Sequence, residues 1–310
     1  MRRAECGGRR AECGGRQAEC GGQRAAGGGR NAEYGVLIRP LITIDECRRV
    51  AALEREIWRY ADAEDVVPPP VLMVSIRRGG ILLGAFDDAG EMEGFVYSIP
   101  AVKDGQLTQW SHMLGVREGA RDAGLGVRLK LAQREAALAA GITLIEWTFD
   151  PLQALNAYSN FTRLGVVVEE YEENIYGDSS SPLHHGSPTD RFVAEWKLRE
   201  PHVERRIGAR AMPLMRDAGV ASAPLANPST VRDGWLAPGA AALDLTDRRL
   251  LVEIPGNYDE IQQQDDGLAL EWRLSSRAIF ETYLSRGYRV VDFFLSREQK
   301  RGHYLLARQD

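Results

Sequence analysis

The sequence predicts an α+β fold, layered α/β/α around a mixed, mostly antiparallel sheet. Three observations carry that expectation. Three alternating apolar segments follow one another between residues 79 and 116, joined by short glycine-bearing gaps, which is the pattern of antiparallel neighbours. Helix-period stretches flank them on both sides. The chain has 310 residues, 44% hydrophobic and 27% charged, an ordinary balance for one large globular domain or two modest ones.

Element by element, "YGVLIRPLIT" from Tyr34 reads as a strand and Asp45 to Ala61 as a helix with Val50, Leu53, Ile57 and Trp58 on one face. Pro68, Pro69 and Pro70 then break the chain. The meander follows as "GGILLGAFDDAG", "EMEGFVYSIPAV" and "QLTQWSHMLGV", with Gly90 and "KDG" at Lys103 to Gly105 marking the tight connections. Gly124 to Ala140 is helical, Leu144 to Phe149 is a short apolar strand, and Leu155 to Leu164 is a helix stopped by Gly165. "VVVEEYEENIYG" and "RFVAEWKL", separated by the polar loop "DSSSPLHHGSPT", complete the sheet.

A Pro/Ala-rich connection leads to a second unit. There "RRLLVEIP", a helix from about Leu268 to Ser285, "GYRVVDFFLS" and "GHYLLAR" give strand, helix, strand, strand, the order of residues 144 to 198. This half-domain is expected to extend the main sheet or to form a small second one. The division is therefore a tail over 1–33, a main domain over 34–198 and a C-terminal α/β extension over 199–310.

The tail repeats itself as RRAECGG, RRAECGG, RQAECGG and QRAAGGG. Two glycines per repeat, with only Ala and Cys as apolar residues, cannot hold a helical seam, so disorder is expected. Seven Arg against three Glu in residues 1–30 leave the remainder at −9 of the chain's net −5, and an acidic body argues against nucleic acid as a partner. Cys6, Cys13, Cys20 and Cys47 have neither C-x-x-C pairing nor histidines at zinc-site spacing, so no metal is expected. No run of about 18 apolar residues is present to span a bilayer, and the N-terminal segment lacks the apolar stretch of a secretory signal. The expectation is a cytoplasmic protein without a membrane partner.

The chemistry is expected at "ARDAGLGVRLK", residues 120 to 130, which lies between a strand and a helix. A glycine-permitted loop running straight into a helix presents backbone N–H groups and the positive end of the helix dipole to an anion, and a phosphate fits there. Lys130 is misplaced for the nucleotide loop G-x-x-x-x-G-K-[ST], and the residues after Gly126 do not complete G-x-G-x-x-G. What stands is Arg121, Gly124 and Gly126 in the spacing [RQ]-x-x-G-x-[GA], with Val116 five positions before Arg121.

That spacing resembles the pyrophosphate-binding signature of the GNAT family of acyl-CoA-dependent N-acyltransferases, and the order of elements over residues 34 to 198 is similar to the family's. "SHMLGV", "LKLAQREAALAAGI", "WTFDPLQALNA", "RLG" and "SPTDRFVAEWKL" resemble a subgroup of predicted GNAT acetyltransferases that also carry a segment like "LVEIPGNYDEI…WR…GYRVVDF". The resemblance implies that the fourth and fifth strands, here residues 109 to 116 and 144 to 149, splay apart to admit the pantetheine arm of CoA. It implies that Val116 and the backbone of Arg121, Asp122, Ala123, Gly124, Leu125 and Gly126 hold the pyrophosphate, and that the N–H near Leu114 polarises the thioester carbonyl. Asn156 and Asn160, at i and i+4, suit hydrogen bonds to the arm or are idle surface residues.

The implied reaction is acyl transfer, from acetyl-CoA or another acyl-CoA, to the amine of a small molecule such as an amino acid. An alkyl amine is only about one part in a thousand unprotonated at pH 7, a penalty of about 4 kcal/mol that a base relieves. His112, four residues before Val116 and by alternation on the face of Leu114 and Val116, is the first candidate, with a histidine bonded into the sheet as the plain alternative. Glu146 on the neighbouring strand is the second, with an ion-paired carboxylate as its alternative. Where many family members place a tyrosine that protonates the leaving thiolate, this chain has Phe161, and Tyr158 one turn earlier is the substitute or a packing residue. Asp150 is expected to cap the helix after it, and "TDR" at Thr189 to Arg191 to anchor a loop by the acceptor pocket or to start the last strand. Other readings stay open: a CoA-binding module without turnover, a succinyl-CoA-dependent amino-acid N-acyltransferase, an unrelated α/β phosphate binder, and a homodimer or pocket-closing role for the C-terminal unit.

Overall fold

The structure is a computed structural model that describes residues 35–60, 65–177, 187–208 and 222–308. The repeat tail, most of the "DSSSPLHHGSPT" loop, and the side chains of Asp122 and Ala123 lie outside the described residues.

After strand β1 (Leu37–Pro40), helix α1 (Ile44–Trp58) starts at a capping box in which Thr43 and Glu46 satisfy one another's backbone N–H groups. The prolines that were expected to break the chain instead open a second helix, α2 (Pro69–Arg77). The reason is positional: the first N–H groups of a helix have no intrahelical acceptor, so proline with its fixed φ fits at N1 and N2. Strands β2 (Ile81–Phe86), β3 (Met92–Lys103) and β4 (Gln106–Val116) then form the expected meander. The β3–β4 hairpin turns on Asp104 and Gly105, both at positive φ, as a two-residue turn requires.

A 3₁₀ turn (Glu118–Ala123) feeds helix α3 (Leu125–Ala139), followed by β5 (Leu144–Phe149). Helix α4 (Ala154–Ala157) widens into a π-helical stretch (Tyr158–Leu164) and stops at Gly165 with φ 74°. Strands β6 (Val167–Glu172) and β7 (Arg191–Lys197) come next. The Pro/Ala-rich connection contains helix α5 (Pro201–Gly208) and a ribbon of β8 (Thr230–Arg232) and β9 (Trp235–Ala237). Then follow β10 (Arg249–Pro255), α6 (Tyr258–Gln264), α7 (Asp266–Ser285), β11 (Tyr288–Ser296) and β12 (Arg301–Arg308).

All strands but β8 and β9 join one sheet of order β1-β2-β3-β4-β5-β7-β6-β11-β12-β10. Among the described residues its only parallel pair of strands is β4–β5. The outer three strands mirror the inner three: β10 and β11 flank β12 as β5 and β6 flank β7, all antiparallel, and the halves meet at Val168 opposite Val290. The C-terminal unit thus extends the main sheet. One continuous core unites the halves, in which Phe149, Phe161, Phe192, Phe280 and Tyr304 meet edge to face at 4.6 to 6.1 Å.

Around β2–β4 the core has two layers. Cys47, Val50, Leu53 and Leu72 from α1 and α2 pack on Phe95, Tyr97 and Met113, while Leu125 and Leu129 from α3 pack on Val96 and Val116 across the sheet. Among the described residues no helix is long and apolar enough to cross a membrane.

Candidate active site

The ladder between β4 and β5 is short. Gln109 pairs with Ile145 and Trp110 with Glu146; beyond them β4 runs on to Val116 beside β3 while β5 runs on beside β7. Two neighbouring strands therefore part, as the GNAT resemblance implied, and Ser111 and Trp147 are the first residues past the parting.

The start of α3 lies against the parted strand. Gly124 precedes the helix at φ 68°, ψ 18°, a left-handed conformation that glycine adopts without steric cost. Among the described residues no side chain caps the helix start, and its first turn holds no acidic residue, so the positive end of the dipole is open to an anion. A Cβ on Gly126 would touch Leu114 Cδ2 at 3.5 Å, which places the helix start directly over β4. Arg121 Nε donates to the Val116 carbonyl at 3.1 Å, tying the turn to the end of that strand. A second cation stands here that the sequence did not single out: Arg163, whose Nη1 is the nearest atom to a Cβ built on Gly124, at 3.7 Å. Its only signal was the "TRLG" that ends the fourth helix.

His112 occupies a bulge. Tyr97 pairs with Met113 and Ser98 with Ser111, so His112 is the extra residue of β4. The bulge overturns the expected alternation. Ser111, Leu114 and Val116 face α3, whereas His112 meets Tyr97 edge to face at 6.1 Å, on the side of α1 and α2 with Met113. Its ring is solvent-exposed and, among the described residues, makes no hydrogen bond, yet enough protein surrounds it that lost hydration holds its pKa below the usual 6.5. A neutral imidazole with a free nitrogen results.

Glu146 is an ion-paired carboxylate. Lys103 at the end of β3 donates to Glu146 Oε1 at 2.7 Å and to Glu195 Oε1 at 2.6 Å, and Lys197 adds a bridge to Glu195 at 3.0 Å. The wall beside it is Thr148, whose hydroxyl meets the Tyr176 hydroxyl at 2.8 Å, with the Arg191 guanidinium over the Tyr176 ring at 5.5 Å. Thr189 and Asp190 organise this edge: Thr189 Oγ1 accepts from the Tyr176 N–H, and Asp190 accepts from the Tyr171 hydroxyl and from Arg277 Nε and Nη2. "TDR" therefore both anchors the loop and starts β7.

On the α3 side, Tyr158 is half-buried with the Arg163 guanidinium 5.8 Å from its ring centre, and Phe161 is wholly buried in the aromatic core. Asn156 is exposed and Asn160 buried, because the π-helical turn that begins at Tyr158 breaks the i, i+4 relation. Asp150 accepts the Leu152 N–H at 2.8 Å, the expected turn contact, but its main partner is Arg273.

No family model and no curated protein matches the chain. Solved structures do. A GNAT-family acetyltransferase from Streptococcus pneumoniae is 18% identical over 52% of this chain and 98% of its own, with a TM-score of 0.42. An aminoglycoside 6'-acetyltransferase type Ii is 20% identical over 53% of this chain and 97% of its own, TM-score 0.40. An N-acetyltransferase from Thermoplasma acidophilum, in complex with coenzyme A, is 17% identical over 52% and 98%, TM-score 0.39.

Proposed function

We propose that this chain is an acyl-CoA-dependent N-acyltransferase of the GNAT type that acylates a small amine by direct attack. The observation that carries the reading is the parting of β4 from β5 beside an uncapped helix start: the strands stop pairing after Trp110 and Glu146, and the α3 N-terminus sits over Leu114 on the freed edge. An extended pantetheine arm has backbone groups to pair with in such a gap, and a diphosphate has the helix start with Arg121 and Arg163.

His112 removes the proton from the acceptor ammonium. The bulge puts the imidazole on the face that α1 and α2 leave open toward β5, where Glu146, Glu195, Thr148 and Tyr176 line the sheet. Glu146 and Glu195 are matched in charge by Lys103 and Lys197, so this wall is polar without a net charge. The freed amine attacks the thioester carbonyl, whose oxygen is bonded by the N–H near Leu114; the C–S bond breaks, CoA leaves as the thiolate, and the nitrogen gives its remaining excess proton to solvent as the amide forms. Cys47, buried in the α1 layer, is no candidate for a covalent intermediate, which agrees with direct transfer. Phe161 cannot protonate the thiolate, and a thiol pKa near about 8.5 makes that departure tolerable unaided.

Thermal unfolding with CoA, ATP and NAD, followed by thiol release from acetyl-CoA with a panel of amines, tests the reading. Stabilisation by CoA alone and amine-dependent thiol release are expected. Stabilisation by ATP or NAD instead of CoA would replace the reading with a nucleotide-binding one, and CoA binding without release under any amine with a non-catalytic module.

A further inference from the structure

Lys130 is a buried amine with no anion to pair with among the described residues. It stands on α3 with 6% of its surface exposed, donates to Ser111 Oγ at 2.8 Å and sits 3.6 Å from the centre of the Trp147 ring. Ser111 and Trp147 are the first residues of β4 and β5 beyond the last paired positions, so the amine bridges the closed end of the gap. Gln133, fully buried one turn on, bonds the same serine at 3.0 Å. Both partners, and the glutamine behind the serine, are neutral. Burial alone lowers the Lys130 pKa, with no carboxylate acting against it.

A helix face packed on a sheet gains nothing from such a group, since a leucine there would pack without loss. The arrangement does have a use if a negative charge arrives from the open end. Lys130, Ser111 and Gln133 then supply an ammonium, a hydroxyl and an amide N–H, the donor set that a carboxylate accepts. Ser111 lies three residues from Leu114, about 10 Å of strand, and the bulge at His112 shortens that span. A four-carbon acyl group spans about 5 Å, and a hydrogen bond of about 3 Å at each end, one at Leu114 and one at the serine, completes the distance.

Resting on the acyltransferase reading above, we infer that the gap between β4 and β5 is built for an acyl-CoA whose acyl chain ends in a carboxylate, of the succinyl type, with Lys130 as the residue that reads it. An arriving carboxylate favours the protonated amine and is matched by it, and an uncharged acyl group leaves the amine without an anion.

Calorimetric titration of the whole chain with CoA, butyryl-CoA and succinyl-CoA tests this without knowledge of the acceptor, because the two acyl groups have equal length and differ in the carboxylate. Succinyl-CoA is expected to bind at least about tenfold more tightly than butyryl-CoA, and Lys130→Met to abolish or invert that preference. The wild-type comparison requires no variant, and Gln133→Leu, which keeps the lysine, is expected to reduce the preference partway. Equal or tighter binding of butyryl-CoA by the wild type, or a preference that survives in Lys130→Met, overturns the assignment while CoA binding stands. Failure of all three ligands to bind overturns the acyltransferase reading and this one with it.

Discussion

Arg273 on α7 grips Asp150 at the end of β5 with both terminal nitrogens, Nη1 to Oδ1 at 2.8 Å and Nη2 to Oδ2 at 2.7 Å. The arginine is 1% exposed. Burial by itself would raise the Asp150 pKa, but the Arg273 charge and its bonds outweigh that and hold it below the ordinary carboxylate value. The pair joins the C-terminal unit to the turn that launches α4 and the π-helical stretch after it, which carries Tyr158 and Arg163. Arg273→Met strips the buried carboxylate of its two charged hydrogen bonds, leaving Arg191 at 3.9 Å as its remaining cation, and is expected to cost about 3 kcal/mol of stability, read as a lower urea midpoint. Adding Asp150→Asn to it should recover part of that loss, because the under-compensated charge is then gone.

The bulge gives His112 a pH signature. A pKa held below 6.5 by burial keeps the imidazole unprotonated through neutrality, so kcat/KM should rise with pH along an acid limb whose midpoint lies under that value. His112→Gln is expected to lower kcat by about 10²–10⁴-fold and to remove the limb. An unchanged acid limb in the variant would assign the base elsewhere.

Much of this was legible in the sequence, and what was not has physical causes. The hairpin at Asp104-Gly105, the helix stop at Gly165 and the alternating strands read correctly because each depends on a few adjacent residues. Pro69 and Pro70 misled because proline breaks a helix interior and starts a helix equally well, and only the following residues decide which. The His112 bulge was illegible because strict alternation assumes an unbroken ladder, and the extra residue is defined by the partner strand. Lys130 was noticed only as misplaced for a nucleotide loop; its burial between Ser111 and Trp147 depends on three elements that meet in space.

Gly124 and Arg163 can be separated by experiment. Gly124→Ala forces a side chain into left-handed backbone at φ 68°, where the Cβ meets Arg163 Nη1 at an ordinary 3.7 Å, so the cost is conformational, roughly 1–2 kcal/mol of stability. Arg163→Ala leaves that backbone alone and removes a cation beside it. Its stability should match the wild type, its Kd for CoA should rise about tenfold, and the residual binding should depend less steeply on salt. Titration of CoA at two ionic strengths distinguishes the two variants.

Glu54 on α1 is 1% exposed, and both of its oxygens lie 3.3 Å from the single Val67 N–H. Burial, only partly countered by that bond, pushes its pKa from 4.5 up to about 7. The folded state therefore holds this proton more tightly than the unfolded chain, so its contribution to stability is complete below pH 4.5 and is lost as pH rises through about 7. The shift corresponds to about 3 kcal/mol. Glu54→Gln carries no titrating charge and its amide oxygen still accepts from Val67, so the variant should match the wild type at low pH and exceed it by up to about that amount above neutrality. Urea unfolding at a series of pH values checks the sign: a wild-type curve that stays level where the variant's does would mean that the carboxylate is hydrated in the folded protein.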